Sequence, residues 1–230
     1  MRNIKRGIMK LFVTAILFVS LFSTINASGY WVNSTYYFQH NPVTKNAKNN
    51  KVQNMYRTSK LKNNAAWNSA FMDGYNSYES KDSSGNYTRS FNLNVVSTNN
   101  TNISNADIYL VDDKANPKRL GIAIPCKINN EGKHSCSTNY VNNATVNYYK
   151  LSINRYAHDT IFSNVTIRKK EARLTSAHEF GHTLGMGHYT YKNQYVAKSK
   201  NSIMSYADTS VMNHALKSHD ISRLRNIYGK

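Results

Sequence analysis

The 230-residue chain is poor in acidic residues, and it lacks internal repeats and long low-complexity linkers. Its 12 acidic residues stand against 30 basic ones, which gives a formal net charge of +18. This balance would favour anionic surroundings, such as cell-surface polymers, membranes or acidic substrates. The lysines are nevertheless scattered among asparagines, and no nucleic-acid-binding motif is present, so we expect no nucleic-acid partner. The chain length suits one compact domain, which we expect to be monomeric.

An apolar run long enough to span a membrane is also missing from the N-terminal region. The run Leu11 to Phe22 is too short, since a membrane-spanning helix needs about 20 apolar residues. It precedes Ala27, a small residue suited to cleavage, and follows four basic residues, Arg2, Lys5, Arg6 and Lys10. This order is typical of a secretory signal peptide over residues 1–27, with an uncleaved anchor as the alternative. We therefore expect a secreted protein whose mature domain spans residues 28–230.

Cysteine is scarce as well. Cys126 and Cys136 are the only two in the chain, and they lie ten residues apart. An even number of cysteines in an exported chain predicts a disulfide that closes the intervening loop.

Three histidines are concentrated in the segment HEFGHTLGMGH, from His178 to His188. On a helix, His178 and His182 would lie one turn apart on the same face, with both imidazoles able to reach one ion. Gly185 and Gly187 can end that helix and turn the chain back, so that His188 supplies a third ligand. Three imidazoles leave the fourth position of a tetrahedral zinc open, which is typical of a catalytic site.

Glu179 follows the first histidine directly, so its carboxylate can lie beside the metal without binding it. That position suits a general base acting on water at the zinc. A short H-E-x-x-H pattern often arises by chance, but the full H-E-x-x-H-x-x-G-x-x-H pattern does so very rarely.

The eleven residues match the zinc-binding consensus of the metzincin metallopeptidases, and the chain resembles that family in further segments. Met204, within SIMSY, is similar to the methionine of the metzincin Met turn beneath the metal. Four segments resemble the matrixin subgroup, which includes the matrix metalloproteinases: Ala65–Phe71, Ala106–Ile108, Leu120–Pro125 and the final helix in HDISRLRNIYG. Matrixins also use a propeptide cysteine to silence the zinc, but the aromatic strand predicted at Trp31–Phe38 leaves no room for such a propeptide.

Departures from the matrixin pattern qualify this resemblance. Tyr189 follows the third histidine, where matrixins carry a small residue. Tyr206 stands where serralysins and astacins place a tyrosine that reaches the zinc. The histidine segments that hold a second zinc in many matrixins are missing, so we expect one catalytic Zn²⁺ and leave structural Ca²⁺ open.

The resemblance implies an α+β fold, the metzincin catalytic domain, in which a mixed five-stranded twisted sheet and three helices place zinc in the active-site cleft. Residue patterns predict a long helix from about Asn49 to Asp73, interrupted near Asn63, a second from about Lys170 to Leu184, and a third opening near Ser218 with Asp220 in its first turn. Besides Trp31–Phe38, strands are expected at Phe91–Val96, Ala106–Val111, Leu120–Lys127 and Tyr148–Asn154.

The function implied is a secreted zinc-dependent endopeptidase acting on protein or peptide substrates. His178, His182 and His188 would hold the metal, Glu179 would take a proton from the attacking water, and Tyr206 would stabilise the oxyanion. One alternative is a zinc-stabilised binding module or degenerate peptidase that uses its basic surface, and another is hydrolysis of a small non-peptide amide. The other five histidines lack ligand spacing and are expected at the surface or around the site: His40, His134, His158, His214 and His219.

Overall fold

The computed structural model describes ten stretches of the chain: residues 44–45, 51–78, 93–100, 104–128, 133–137, 148–188, 190–191, 194–195, 202–205 and 215–228. The first strand predicted at Trp31–Phe38 and the signal peptide lie outside them. Within these stretches, no helix combines the length and the hydrophobicity that a membrane crossing requires.

A seven-stranded mixed sheet forms one layer of the fold. Its strands are β1 (Thr44–Lys45), β2 (Lys51–Arg57), β3 (Leu93–Thr98), β4 (Ala106–Val111), β5 (Gly121–Ile128), β6 (His134–Cys136) and β7 (Tyr148–Asn154). The order is β1-β2-β4-β7-β5-β6, and β3 also pairs with β2. Strands β2, β3, β4 and β7 pair in parallel, whereas β1, β5 and β6 pair antiparallel to their neighbours. A separate two-stranded ladder joins β8 (Thr190–Tyr191) to β9 (Gln194–Tyr195).

The described parts of the chain contain five helices: α1 (Ser59–Lys62), α2 (Ala65–Asn76), α3 (Arg155–Ile161), α4 (Val165–Thr183) and α5 (Ser218–Tyr228). The open mixed α+β architecture therefore agrees with the expected class, but five strands and three helices were too few. Helix α3, with seven residues, was not predicted, and α1, with four, is the part of the interrupted long helix before Asn63. Strands β1 and β6 are also additional and have only two and three residues. Such short segments carry too few residues to show a hydrophobic period.

The N-terminal half of the predicted long helix was wrong, because Lys51–Arg57 is strand β2. Gln53 and Met55 are buried while their neighbours are partly exposed, which is the two-residue period of a strand. Pairing with β3 and β4 fixes that conformation. The predicted break near Asn63 is confirmed, since Asn64 begins α2 by accepting a hydrogen bond from the Trp67 N–H at 3.4 Å.

The four strands predicted after residue 90 are confirmed. Phe91–Val96 and Leu120–Lys127 are shifted by two residues and one residue, and Ala106–Val111 and Tyr148–Asn154 are confirmed at both ends. The predicted disulfide between Cys126 and Cys136 is also confirmed. It crosses directly opposed residues of the β5–β6 hairpin, whose Cα atoms are 4.0 Å apart.

The core lies between the sheet and helices α2 and α4. Met55, Ile108 and Leu151 come from three neighbouring strands and are fully buried. On the helical side, Phe180 lies edge-on to the rings of Phe71, Tyr75 and Tyr78. Gly74 lets α2 approach α4 closely, because a Cβ atom there would lie 2.7 Å from the Ala177 nitrogen. This packing fixes α4, the helix that carries the first two predicted ligands.

Candidate metal centre and active site

Helix α4 begins at Val165, where the side chain of Asn164 accepts hydrogen bonds from the N–H groups of Thr166 and Ile167. The helix starts earlier than the predicted Lys170 and ends at Thr183, next to the predicted end. His178 and His182 lie one turn apart on its buried side, with ring centroids 5.0 Å apart. The four-residue spacing therefore brings the two imidazoles together, as expected.

The chain turns back directly after α4. Gly185 has a φ angle of 83°, a left-handed conformation that favours glycine. Gly187 does not share this conformation, so the predicted helix break depends on the first glycine. The turn brings His188 to the first two histidines, and the three ligand atoms lie within 4.8 Å of one another.

Backbone carbonyls orient two of the rings. Nδ1 of His178 lies 2.9 Å from the Ile203 carbonyl oxygen, and Nδ1 of His182 lies 2.8 Å from that of Met186. A carbonyl can only accept, so each Nδ1 carries the proton and each neutral ring keeps its lone pair on Nε2. Burial also lowers the pKa of His178 to about 4 and lowers that of His182, which favours neutral imidazoles.

The arrangement of these rings fits a zinc ion. Nε2 of His182 lies 3.2 Å from Nε2 of His188. Two nitrogens bound to a tetrahedral zinc lie about 3.3 Å apart, given a zinc–nitrogen distance of about 2.0–2.1 Å. Three imidazole nitrogens that converge in this way are the ligand set of a catalytic zinc with one position open.

Glu179 projects from α4 towards the first residues of strand β5. A Cβ atom at Gly121 would lie 2.7 Å from Cγ of Glu179, so the small residue makes room for the carboxylate chain. The Ala123 N–H hydrogen-bonds the carboxylate, and Arg119 adds a favourable charge. Burial outweighs both and raises the pKa of Glu179 to about 8. The carboxyl group thus lies against the first residues of β5.

The predicted Met turn lies against the same helix. Met204 is fully buried, and its sulfur would be 2.5 Å from a Cβ atom placed on Gly181, between the two helical histidines. The preceding residue, Ile203, supplies the carbonyl that accepts from His178. The Met turn therefore both underlies the cluster and orients one of its rings.

A family model described as Metallo-peptidase family M12 matches residues 33–223, most of the chain. The chain belongs to metallo-peptidase family M12. A search of curated proteins gives no significant match. Membership in M12 agrees with a metzincin-type fold and implies a zinc-dependent peptidase, and the three-histidine cluster is compatible with that requirement. The match does not test the matrixin placement, which stays a prediction.

Helix α5 supplies residues around the histidine cluster whose contacts the sequence did not reveal. Asp220 is buried and accepts hydrogen bonds from the Ser202 hydroxyl and from the N–H groups of Ile203 and Lys217. Arg223 donates to the Gly187 carbonyl at 2.9 Å, next to His188. The Tyr228 hydroxyl donates to the Leu184 carbonyl at 2.8 Å. One helix thus binds both the Met turn and the segment that leads to the third histidine.

Of the other histidines, His158 differs from expectation because it is fully buried in α3. Its ring contacts Trp67 edge-on at 5.2 Å and lies 5.9 Å from that of Phe162. Burial lowers the pKa of His158 to about 3, so this histidine is a neutral core residue. His134 is exposed, as predicted, and His219 lies in the first turn of α5. His40, His214, Tyr189 and Tyr206 lie outside the described residues.

Proposed function

We propose that the protein is a secreted zinc-dependent endopeptidase in which His178, His182 and His188 hold the metal. The observation that carries this proposal is the convergence of three imidazoles in a chain of family M12, with Glu179 directly after the first of them in sequence. When bound there, zinc supplies a Lewis acid that polarises the scissile carbonyl and activates water at neutral pH. Residues 1–27 would be removed as a signal peptide, and residues 28–230 would form the monomeric mature enzyme.

Glu179 moves the protons in this mechanism. The positive charge of a bound zinc would favour the ionised form of this carboxyl group against the effect of burial. The carboxylate would then accept a proton from the water that attacks the scissile carbonyl and donate it to the departing amine. Gly121 leaves the space in which this side chain lies, and the Ala123 amide orients its carboxylate. Tyr206 would donate a hydrogen bond to the oxyanion that develops at the attacked carbonyl.

Strand β5 is the proposed binding site for an extended substrate. One edge of β5 pairs with β7. On the opposite edge, residues Gly121 to Ile124 have no partner strand within the described parts of the chain. Glu179 contacts this same stretch. A peptide that adds as a strand here would therefore pass beside the catalytic carboxylate, which suits cleavage within a polypeptide.

A finer placement is also part of this proposal. The match of HEFGHTLGMGH, Ala106–Ile108 and Leu120–Pro125 to the matrixin pattern supports a matrixin-like enzyme, and Tyr206 adds a serralysin-like or astacin-like residue. One catalytic Zn²⁺ is expected. The basic charge would hold the enzyme near anionic cell-surface polymers.

The decisive experiment replaces Glu179 with glutamine in the zinc-loaded protein. Glutamine has nearly the same shape but cannot take up the proton, so peptide hydrolysis should fall at least about 10²-fold while zinc content is kept. Glu171→Gln is the matched control, since Glu171 is another buried glutamate of α4, and this variant should stay active. Full activity in Glu179→Gln would contradict the mechanism. Wild-type protein that carries zinc yet cuts nothing in a diverse peptide library would favour the binding-module alternative.

A further inference from the structure

The outer edge of β5 is available only over a short stretch. The Asn154 N–H donates to the Leu120 carbonyl at 2.8 Å, so the backbone groups of Leu120 point towards β7. In an antiparallel pair this orientation alternates, and Gly121, Ala123 and Pro125 therefore direct their backbone groups to the opposite edge. These are the groups with which an added strand would pair.

The β5–β6 hairpin occupies the end of that edge. The Ser137 N–H donates to the Pro125 carbonyl at 3.2 Å, and proline has no N–H to offer. Strand β6 then pairs with Cys126, Lys127 and Ile128 on the same side. Within the described residues, the outward backbone groups covered neither by β6 and Ser137 nor by the Glu179 carboxylate are those of Gly121 and the carbonyl of Ala123.

The disulfide holds this obstruction in place. Strand β6 has three residues, and a hairpin of this length is only marginally stable by itself. The Cys126–Cys136 bond joins the two strands at the point where the open edge ends. It therefore prevents a peptide from displacing β6 and continuing along β5.

We infer that the disulfide-bonded β5–β6 hairpin determines specificity. It allows the substrate strand to extend from the scissile bond towards the substrate's N-terminus only as far as the residue that faces Pro125. This inference rests on the proposed peptidase function. An antiparallel peptide whose scissile bond lies beside Glu179, near Gly121 and Ala123, has its N-terminal part on the side of the hairpin. The enzyme therefore recognises few residues before the scissile bond.

A ladder of peptides tests this inference. The peptides share one cleavage sequence and are lengthened one residue at a time, in one series at the N-terminal end and in another at the C-terminal end. For zinc-loaded wild-type protein, kcat/KM should stop rising after about three residues before the scissile bond, the last of which faces Pro125. The C-terminal series is the comparison, because its added residues extend away from the hairpin. A steady gain in kcat/KM with N-terminal length would overturn the inference.

The double variant Cys126→Ser/Cys136→Ser frees β6 and sharpens the test. Peptides that extend past the plateau should gain at least about fivefold in kcat/KM over wild type, since a further backbone pair becomes available. Cleavage of the shortest peptide at the wild-type rate shows that the variant is folded. If the variant does not fold, the wild-type ladder alone decides.

A measurement of peptide affinity separates this inference from the proposed function. The affinity of zinc-loaded Glu179→Gln protein for the same fluorescent peptides should show the same N-terminal plateau. Absence of cleavage by wild-type protein would overturn the peptidase proposal, and the affinity ladder would still decide the role of the hairpin. Affinity that rises with every added N-terminal residue would overturn that role.

Discussion

The three histidines of the cluster are held in two different ways. His178 and His182 are placed by the period of α4, and α4 is fixed by core contacts such as Phe180 against Tyr75. His188 lies beyond the helix, on a segment with no regular structure. That segment and the Met turn are held by hydrogen bonds with α5 residues that lie 17 to 44 positions away in sequence. Local geometry thus supplies two ligands, and long-range contacts supply the third.

The largest effect should come from removing a ligand on the helix. His182→Ala leaves two imidazoles, which form a poor zinc site, so zinc affinity should fall by at least about 10³-fold and peptidase activity with it. Metal analysis after dialysis against a chelator measures this loss. His158→Leu is the control, because His158 is also buried but its ring packs against Trp67 and Phe162, and this variant should keep its zinc.

Removing the support from α5 should have a smaller but clear effect. Asp220→Ala leaves the buried Ile203 N–H without its acceptor and loosens the peptide unit that orients His178. Zinc affinity should fall about 10- to 100-fold. Competition with a chromogenic chelator measures it, and Asp220→Asn, which keeps one oxygen acceptor, should lie between the wild type and alanine. Unchanged affinity in Asp220→Ala would show that α5 does not control the site.

His158, the buried histidine outside the cluster, should make the free energy of unfolding depend on pH. The pKa of His158 is about 3 in the folded protein and near 6.5 when exposed. As pH falls below 6.5, the unfolded chain binds a proton that the folded chain does not, so stability is lost. Between pH 6.5 and 5 the free energy of unfolding should drop by about 2 kcal/mol through this residue. The loss should be smaller by that amount in His158→Leu, as measured by urea unfolding across the pH range.

A substitution of Arg223 tests the hydrogen bond that holds the segment next to the third ligand, His188. Arg223→Met keeps much of the side-chain volume but removes the donor to the Gly187 carbonyl, so His188 is less well held. We expect a loss of zinc affinity of about tenfold. Arg225→Met, on the same helix, is the matched control and should bind zinc as the wild type does.

The smallest effect should be at the turn between the two regions. Gly185→Ala places a side chain in the left-handed conformation, which costs about 1 kcal/mol of stability. Gly187→Ala should cost less, because Gly187 has no positive φ angle. Equal losses in the two variants, measured by urea unfolding, would contradict the role assigned to the Gly185 turn.

The sequence predicted the parts of the site that depend on local spacing. His178 and His182 follow from a four-residue period, and Glu179 follows from its position beside the first ligand. The two cysteines could be paired because the chain has no others. Strands such as Ala106–Val111 were predictable from alternating burial, which a hydrophobic pattern records directly.

The parts that failed depend on partners distant in sequence. Lys51–Arg57 carries a weak pattern, and its strand conformation comes from pairing with residues 93–98 and 106–108. Asp220 was predicted only as a residue of the first turn of its helix, because nothing in its neighbourhood indicates a contact with Ile203. Arg223 has the same limitation. Such roles arise from tertiary contacts that no local period encodes.

The dependence of the cluster on α5 also sets an order of events during synthesis. The ribosome completes all three histidines and the Met turn before it reaches Ser218. A nascent chain that has emerged only as far as the Met turn therefore has every imidazole but lacks the hydrogen bonds from Asp220 and Arg223. In the proposed zinc enzyme, full affinity for the metal would arise only when α5 docks, so the site would mature as one of the last steps of folding. The position of one helix in the chain thus delays the metal centre until the surrounding domain has been made.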